Sequence, residues 1–337
     1  MVELENPRDA FFSSIQRIDF CDSMILVQDI EALYAYSLDG KYLTRYGSKG
    51  HGKNEYIQLS AFAINKNEKS VQILDSYTSK MLSFSYDGSF LFSTRLPDSF
   101  TRDLYRLDYV NKDKMVSNYY VGKKTNTVYR TCDLRRGDVM DVDSFSMATN
   151  GTKERFGFHP YSIDDEGNVI YVKPFSNLIG GLDSDSVASV YKIVTNKTVY
   201  SDSEMGKIPY TTVINMSYDK DDVFLGFSDI FETSSHLLMN TFLKYQFLVD
   251  KRTLEGRRFR DYTMEEDPLS SVPLINICAV KDDYLVGIQE TVVLKCLEFS
   301  SKGDKYVTRL RDFLKTKDAV GDEGRYVLLF YKLLSNG

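Results

Sequence analysis

Seven residues, Gly47-Ser48-Lys49-Gly50-His51-Gly52-Lys53, carry the spacing of a phosphate-cradling loop, in which backbone N–H groups wrap the phosphates and the terminal lysine reaches the outer ones. That chemistry also needs Ser or Thr after the lysine to hold Mg²⁺, and a helix whose N-terminus faces the anion. Asn54 follows instead, and then a β-like run opening at Glu55-Tyr56. The stretch therefore reads as a connector, and no nucleotide is expected. It still concentrates donors. Arg45, Lys49, His51 and Tyr56 place a guanidinium, an ammonium, an imidazole and a phenol within twelve residues, and Gly47, Gly50 and Gly52 let backbone approach a partner. These four side chains are the expected ligand contacts. The competing reading makes Glu55 and Tyr56 the residues that pin the connector and Arg45 an ordinary outer-strand charge.

The other reactive residue types are dispersed. His51, His159 and His236 have no His or Cys at ligand spacing, so no metal site is expected from them. Asp164-Asp165-Glu166 and Asp183-Ser184-Asp185 do not match a calcium loop and read as solvated turns. Cys21, Cys132, Cys278 and Cys296 lack any C-x-x-C spacing and read as core thiols without a disulfide. Arg252, Arg257, Arg258 and Arg260 read as the solvated end of an outer strand, and no G-x-S-x-G is present. With 42 basic and 48 acidic residues the net charge is −6, which disfavours a nucleic-acid partner. The N-terminus has no basic and apolar leader pattern, and the longest apolar run, 326–331, is too short to span a bilayer.

The elements that must position these residues announce themselves by repetition. Tyr36-Ser37-Leu38-Asp39-Gly40-Lys41-Tyr42-Leu43 returns 48 residues later as Phe84-Ser85-Tyr86-Asp87-Gly88-Ser89-Phe90-Leu91. Each copy is an alternating strand, an Asp-Gly turn and a second strand opened by an aromatic residue. Hairpins at a period of about 40 to 50 residues indicate a β-propeller. The 45 aromatic residues, 24 Tyr and 21 Phe with no Trp, suit pleated strands. Residues 14–46, 59–96 and 104–142 read as blades of four strands. A fourth blade starts near Phe158, with Val169–Val172 and a hairpin 189–194/198–201 turning at Asn196-Lys197. A fifth spans 224–262, and a sixth opens with 274–280 and 284–289. There the strand rhythm gives way to a helical excursion near 290–317, with Val307, Leu310 and Leu314 spaced behind an Asp304 cap. The last strand is 325–333, and Val2-Glu3-Leu4 supplies the missing outer strand and closes the ring. The whole chain, 1–337, is thus expected to be one all-β domain, a six-bladed propeller of four-stranded antiparallel blades.

On these repeats the chain resembles the NHL-like six-bladed propellers of exported proteins and lipoproteins from Bacteroidetes-type bacteria. Residues Gly47 to Tyr56 are similar to that family's interblade Gly-x-x-Gly-x-Gly-Pro-Gly-Glu-Tyr, with Lys53 and Asn54 in place of Pro-Gly. Ile230-Phe231-Glu232-Thr233 and the ending Asp322 to Leu333 extend the likeness, although Asn-Pro is absent before the last strand. The resemblance implies a periplasmic or cell-surface setting and carries no agreed catalytic residues. Loops after the second and fourth strands share one face, and the long ones, 47–56, 75–79, 175–186, 203–222 and 289–324, gather there. The expected function is a non-enzymatic module, a monomer without cofactor, that recognises a protein, peptide or glycan through that face and the channel mouth. A calcium-dependent hydrolase or lyase of the lactonase type is the alternative. It would need inward carboxylates from several first strands around one ion.

Overall fold

In the computed structural model, the structure describes residues 1–6, 14–120, 127–144, 155–164, 166–182, 187–209, 212–213, 216, 222–242, 245–260, 276–296, 310, 312–315 and 325–333. Six four-stranded antiparallel sheets form a ring. Blade 1 comprises Ile15–Cys21, Met24–Asp29, Leu33–Ser37 and Tyr42–Tyr46, and blade 2 comprises Leu59–Asn65, Ser70–Asp75, Lys80–Ser85 and Phe90–Arg95. Blade 3 runs through Leu104–Asn111, Lys114–Tyr119, Thr127–Asp133 and Val139–Ser144. Blade 5 follows with Phe227–Glu232, His236–Thr241, Tyr245–Asp250 and Gly256–Arg260.

The repeated hairpin is the same device twice. Gly40 and Gly88 stand at φ +89° and +90°, and each donates its N–H to the serine three residues before it. Ser37 and Ser85 also donate their hydroxyls to Asp39 and Asp87, so each turn is closed by local chemistry that the sequence displays. The middle strands are apolar on both faces because each face meets a different neighbour. Ile25 and Val27 join the core between blades 6 and 1, whereas Met24 and Leu26 join the core between blades 1 and 2. Every pair of adjacent blades has such a seam. Each fully buried aliphatic side chain there contributes about 1.5–3 kcal/mol.

Closure occurs in blade 6, where Ile277–Lys281, Tyr284–Glu290 and Tyr326–Lys332 are completed by Val2–Glu3 in the register Val2↔Leu328 and Glu3↔Val327. Leu4 is fully buried in the seam between blades 6 and 1. Its N–H donates to Tyr326 O at 2.9 Å, and Glu5 N–H donates to Gly40 O at 2.9 Å. The excursion between the strands of blade 6 is helical at Thr291–Cys296 and at 312–315, and Leu294, Leu310 and Leu314 seal the seam between blades 5 and 6. Asp304 and Val307 lie outside the described residues.

Blade 4 departs from the expected register. Its strands are Tyr161–Ile163, Val169–Val172, Leu178–Leu182 and Val187–Lys192, so 175–186 holds a strand, and 198–201 lies outside the blade, with Thr198 in an isolated bridge to Val223. The sequence hides this strand behind Gly180-Gly181. Gly180 is required because the Tyr171 ring lies across it, and a Cβ there would stand 2.2 Å from Tyr171 Cζ. The following connection is partly structural, since Met205 and Val213 are buried in the seam between blades 3 and 4.

Candidate functional site

The first strand of each blade faces the central channel, and at mid-depth three blades fill it with side chains. Arg17 of blade 1 donates Nη1 to the carbonyls of Phe62 at 2.9 Å and Leu107 at 3.0 Å, and Nη2 to Asp19 at 2.6 Å and to Asp108. Asp108 of blade 3 also accepts from Arg106 Nε at 3.0 Å and from the Tyr161 hydroxyl of blade 4 at 2.8 Å. One carboxylate thus ties three blades together across the axis. Burial alone would raise its pKa, but Arg17 and Arg106 overcome that and hold it below the usual carboxylate range.

His159 stands just before the first strand of blade 4. Gly157, at φ +81°, makes this possible, because a Cβ there would stand 1.9 Å from Ser228 O. Asp229 then accepts the N–H groups of Phe158 and His159, each at 2.6 Å. The imidazole lies deep in the fold although part of its surface faces the channel. It stacks on Phe231 at 4.4 Å. Burial, reinforced by the Arg106 charge, pushes its pKa well below the ordinary value. The neutral ring fits its partners: Nδ1–H donates to Ile230 O at 2.8 Å, and Nε2 accepts from Arg106 Nη2 at 3.2 Å. Both nitrogens are therefore engaged.

This plug separates two kinds of channel mouth. On the side of the turns between first and second strands lies a cavity of about 850 Å³. Seven carboxylates line it, Asp19, Asp108, Asp164, Glu166, Glu232, Asp282 and Asp283, against four cations, so that mouth is acidic. On the loop-rich side, adjoining cavities of about 600 and 450 Å³ share Gln16, Arg17 and Phe158. The larger has four cations, Arg17, Lys49, Arg106 and Arg155, against Glu31 and Asp103, so its balance is reversed. Phe158, 59% exposed, lies at its lip with the Arg155 guanidinium 3.8 Å from its ring centre. A separate cavity of about 240 Å³ lies between blades 4 and 5, where Arg258 stacks on Tyr245 at 4.5 Å. That arginine is exposed on the outer strand, as the sequence reading has it, and the Tyr245 ring is a neighbour that reading did not include.

The structure separates the four expected contacts. Lys49 and Tyr56 both line the 600 Å³ cavity. They face each other in register across the short parallel pair Ser48–Lys49 and Glu55–Tyr56. Lys49 pairs with Glu31 at 3.6 Å, and the buried Tyr56 donates to Glu31 O at 2.8 Å, with Arg45 beside its phenol. Arg45 and His51 are exposed and lie outside that lining. Two of the glycines have an internal task. Gly52 N–H donates to Glu55 Oε2 at 2.6 Å, and a Cβ on Gly50 would stand 2.2 Å from the same oxygen. The connector folds around its own glutamate. Arg155 and Phe158 were missed by the sequence reading; their signal is the run Arg155-Phe156-Gly157-Phe158-His159, basic and aromatic, immediately before a first strand.

Cys21, Cys132 and Cys278 are free thiols, and among the described residues no group of three His, Cys, Asp or Glu is placed to hold a metal ion. Among those residues, no helix is long and apolar enough to cross a membrane. Six four-stranded blades in a ring, with a channel plugged by side chains between an acidic and a basic mouth, define a six-bladed β-propeller. The chain belongs to the DUF4934 family, a domain of unknown function, whose profile matches residues 1–318. It is similar in structure to a "Putative exported protein" from Bacteroides fragilis NCTC 9343, with a TM-score of 0.74 and 19% identity over 99% of this chain and 94% of that one. A member of the DUF4221 family from Bacteroides vulgatus ATCC 8482 gives a TM-score of 0.52 at 9% identity, over 77% and 85%. These likenesses concern the fold. No functionally curated protein matches the chain.

Proposed function

We propose that this protein is an extracytoplasmic recognition module, periplasmic or at the cell surface, that binds its ligand without chemical conversion at the loop-rich channel mouth. The observation that carries this reading is the 600 Å³ cavity, in which Lys49, Tyr56, Arg155 and Phe158 converge from connections before blades 2 and 4. Long connections on a rigid ring present such a site without deforming the frame. Arg45, at the end of the outer strand of blade 1, and His51, on the connector, are exposed nearby in the sequence and extend the contact to a large partner. The likeness to a protein described as exported supports the location.

The channel chemistry supports recognition over hydrolysis. Asp108 is held ionised by two guanidinium groups, and His159 has both nitrogens engaged, so neither is disposed to exchange protons with a substrate. A calcium ion at Asp19 and Asp108 would have to displace Arg17, whose guanidinium already bridges them. The reading is tested by screening the purified protein on peptide and glycan arrays beside a Lys49→Ala/Phe158→Ala variant. Loss of binding at unchanged melting temperature supports it. A ligand bound equally by both proteins removes this mouth from the site.

A further inference from the structure

We propose that the loop-rich mouth selects an anionic glycan, seating a sugar carboxylate against Arg155 while Phe158 stacks on the sugar ring. The inference rests on the recognition reading above and names its ligand class. Arg155 is the cation of this mouth that forms no salt bridge among the described residues, although the Asp229 charge acts on it. Its Nε donates to Gly157 O at 3.1 Å and its Nη1 to Gln16 Oε1 at 3.4 Å, leaving the other N–H groups of the fork open. The guanidinium is fixed in place by stacking on Phe158 at 3.8 Å and on Tyr105 at 4.7 Å. Stacking occupies the faces and leaves the edge, which is the geometry that receives a carboxylate through two parallel hydrogen bonds.

A second cation lies at the same mouth. Arg106 is only 5% exposed, and its Nη1 has no hydrogen-bond partner although Nε and Nη2 are both engaged. Arg106 also lines the acidic cavity, and its Nη1 is closed to solvent, so its charge adds to the positive field at this mouth without touching the ligand. Burial also works against the charge of Arg155, which an anionic ligand would relieve. The opposite mouth, with its carboxylate excess, would repel the same ligand, so the binding face is set by charge.

The rest of the lining specifies a sugar. Gln16, Gln28 and Gln58 contribute amides and Ser60 and Ser76 hydroxyls, directional groups that match ring hydroxyls as both donors and acceptors. Phe158 offers an exposed flat plate that suits the C–H face of a pyranose. Ser60 and Ser76 are hydrogen-bonded to each other at 2.5 Å, which orients the pair at the cavity wall.

The test is an array of uronate-containing, sialate-containing and neutral glycans, with an acidic-peptide array beside it. Calorimetric titration of the tightest-bound chain and of its carboxyl-methylated form follows, against wild type, Arg155→Lys and Arg155→Met. The expected result is selective capture of acidic chains, at least about tenfold weaker binding after methylation, and a similar loss in Arg155→Met, which then no longer discriminates the ester. Arg155→Lys, which keeps the charge and loses the fork, should fall between. Melting temperatures verify that each variant folds. Equal binding of acid and ester overturns the anion preference and leaves the recognition reading standing. Capture of acidic peptides alone overturns the glycan assignment. Silence on both arrays overturns the proposal and the recognition reading together.

Discussion

Ring closure at Leu4 offers the most quantitative test of the architecture. Deleting residues 1–6 would be a poor experiment, because ordering six residues costs about 1–2 kcal/mol each, comparable to what their contacts return. Leu4→Ala leaves that ordering cost in place and removes only buried side-chain volume. Leu4 is fully buried between blades 6 and 1, so the loss is about 3 kcal/mol from transfer and cavity together. Unfolding entropy of about 2.1 cal/mol/K per residue gives about 0.7 kcal/mol/K for this chain, and the melting temperature should fall by about 4 °C. Scanning calorimetry measures both the shift and whether the transition remains a single one. Leu4→Met, which conserves volume, should cost under about 1.5 kcal/mol. If Leu4→Ala melts within about 1 °C of wild type, the N-terminal strand does not close the ring as described.

Three further outcomes follow from the channel and the seams. Asp108→Asn strips two buried guanidinium groups of a shared partner and should destabilise the fold by about 3–5 kcal/mol in urea titration; a loss under about 1 kcal/mol would show that the clamp is not structural. Because the folded pKa of Asp108 is depressed, its stabilisation is present above about pH 4 and disappears as pH falls through the lower folded value, a slope that the Asn variant should lack. His159 has a depressed pKa with a consequence of the same sign, at higher pH: the unfolded imidazole takes up a proton below about pH 6.5 while the folded one does not, so stability should decline by up to about 1.4 kcal/mol per pH unit as pH falls. Its ring signals in an NMR titration should shift only well below the ordinary imidazole midpoint, and a midpoint near about 6.5 would contradict the assignment. Burial pushes the Cys21 and Cys278 thiols up to about 12 and Cys132 to about 11, so a disulfide-exchange reagent should react slowly with the native protein and detect four thiols after denaturation without reductant. Detection of two or none would instead reveal a disulfide.

The sequence by itself determined the architecture wherever the determining chemistry is local. Tyr36 to Leu43 and its copy at Phe84 to Leu91 disclosed the hairpin because the glycine that adopts positive φ, and the Ser–Asp bond that closes the turn, lie within five residues of one another. Apolar runs such as Met24 to Val27 disclosed strands, and the unpaired Val2-Glu3-Leu4 disclosed the closure. Blade 4 was misread because Gly180 answers to Tyr171, a neighbour across the sheet that no local pattern represents. For Gly50 and Gly52 the sequence left open a partner or a connector pinned by Glu55, and the group they accommodate is the Glu55 carboxylate of their own loop. Of the residues lining the 600 Å³ cavity, Lys49 and Tyr56 were singled out because they belong to a recognisable connector. Arg155 and Phe158 were not, because they gain meaning only when the ring carries them to the cavity that Lys49 lines. The channel clamp was likewise illegible: Arg17 and Asp108 stand 91 residues apart and meet because closure turns the first strands toward one axis. A sequence records which side chains exist, but the ring decides which of their charges remain unpaired.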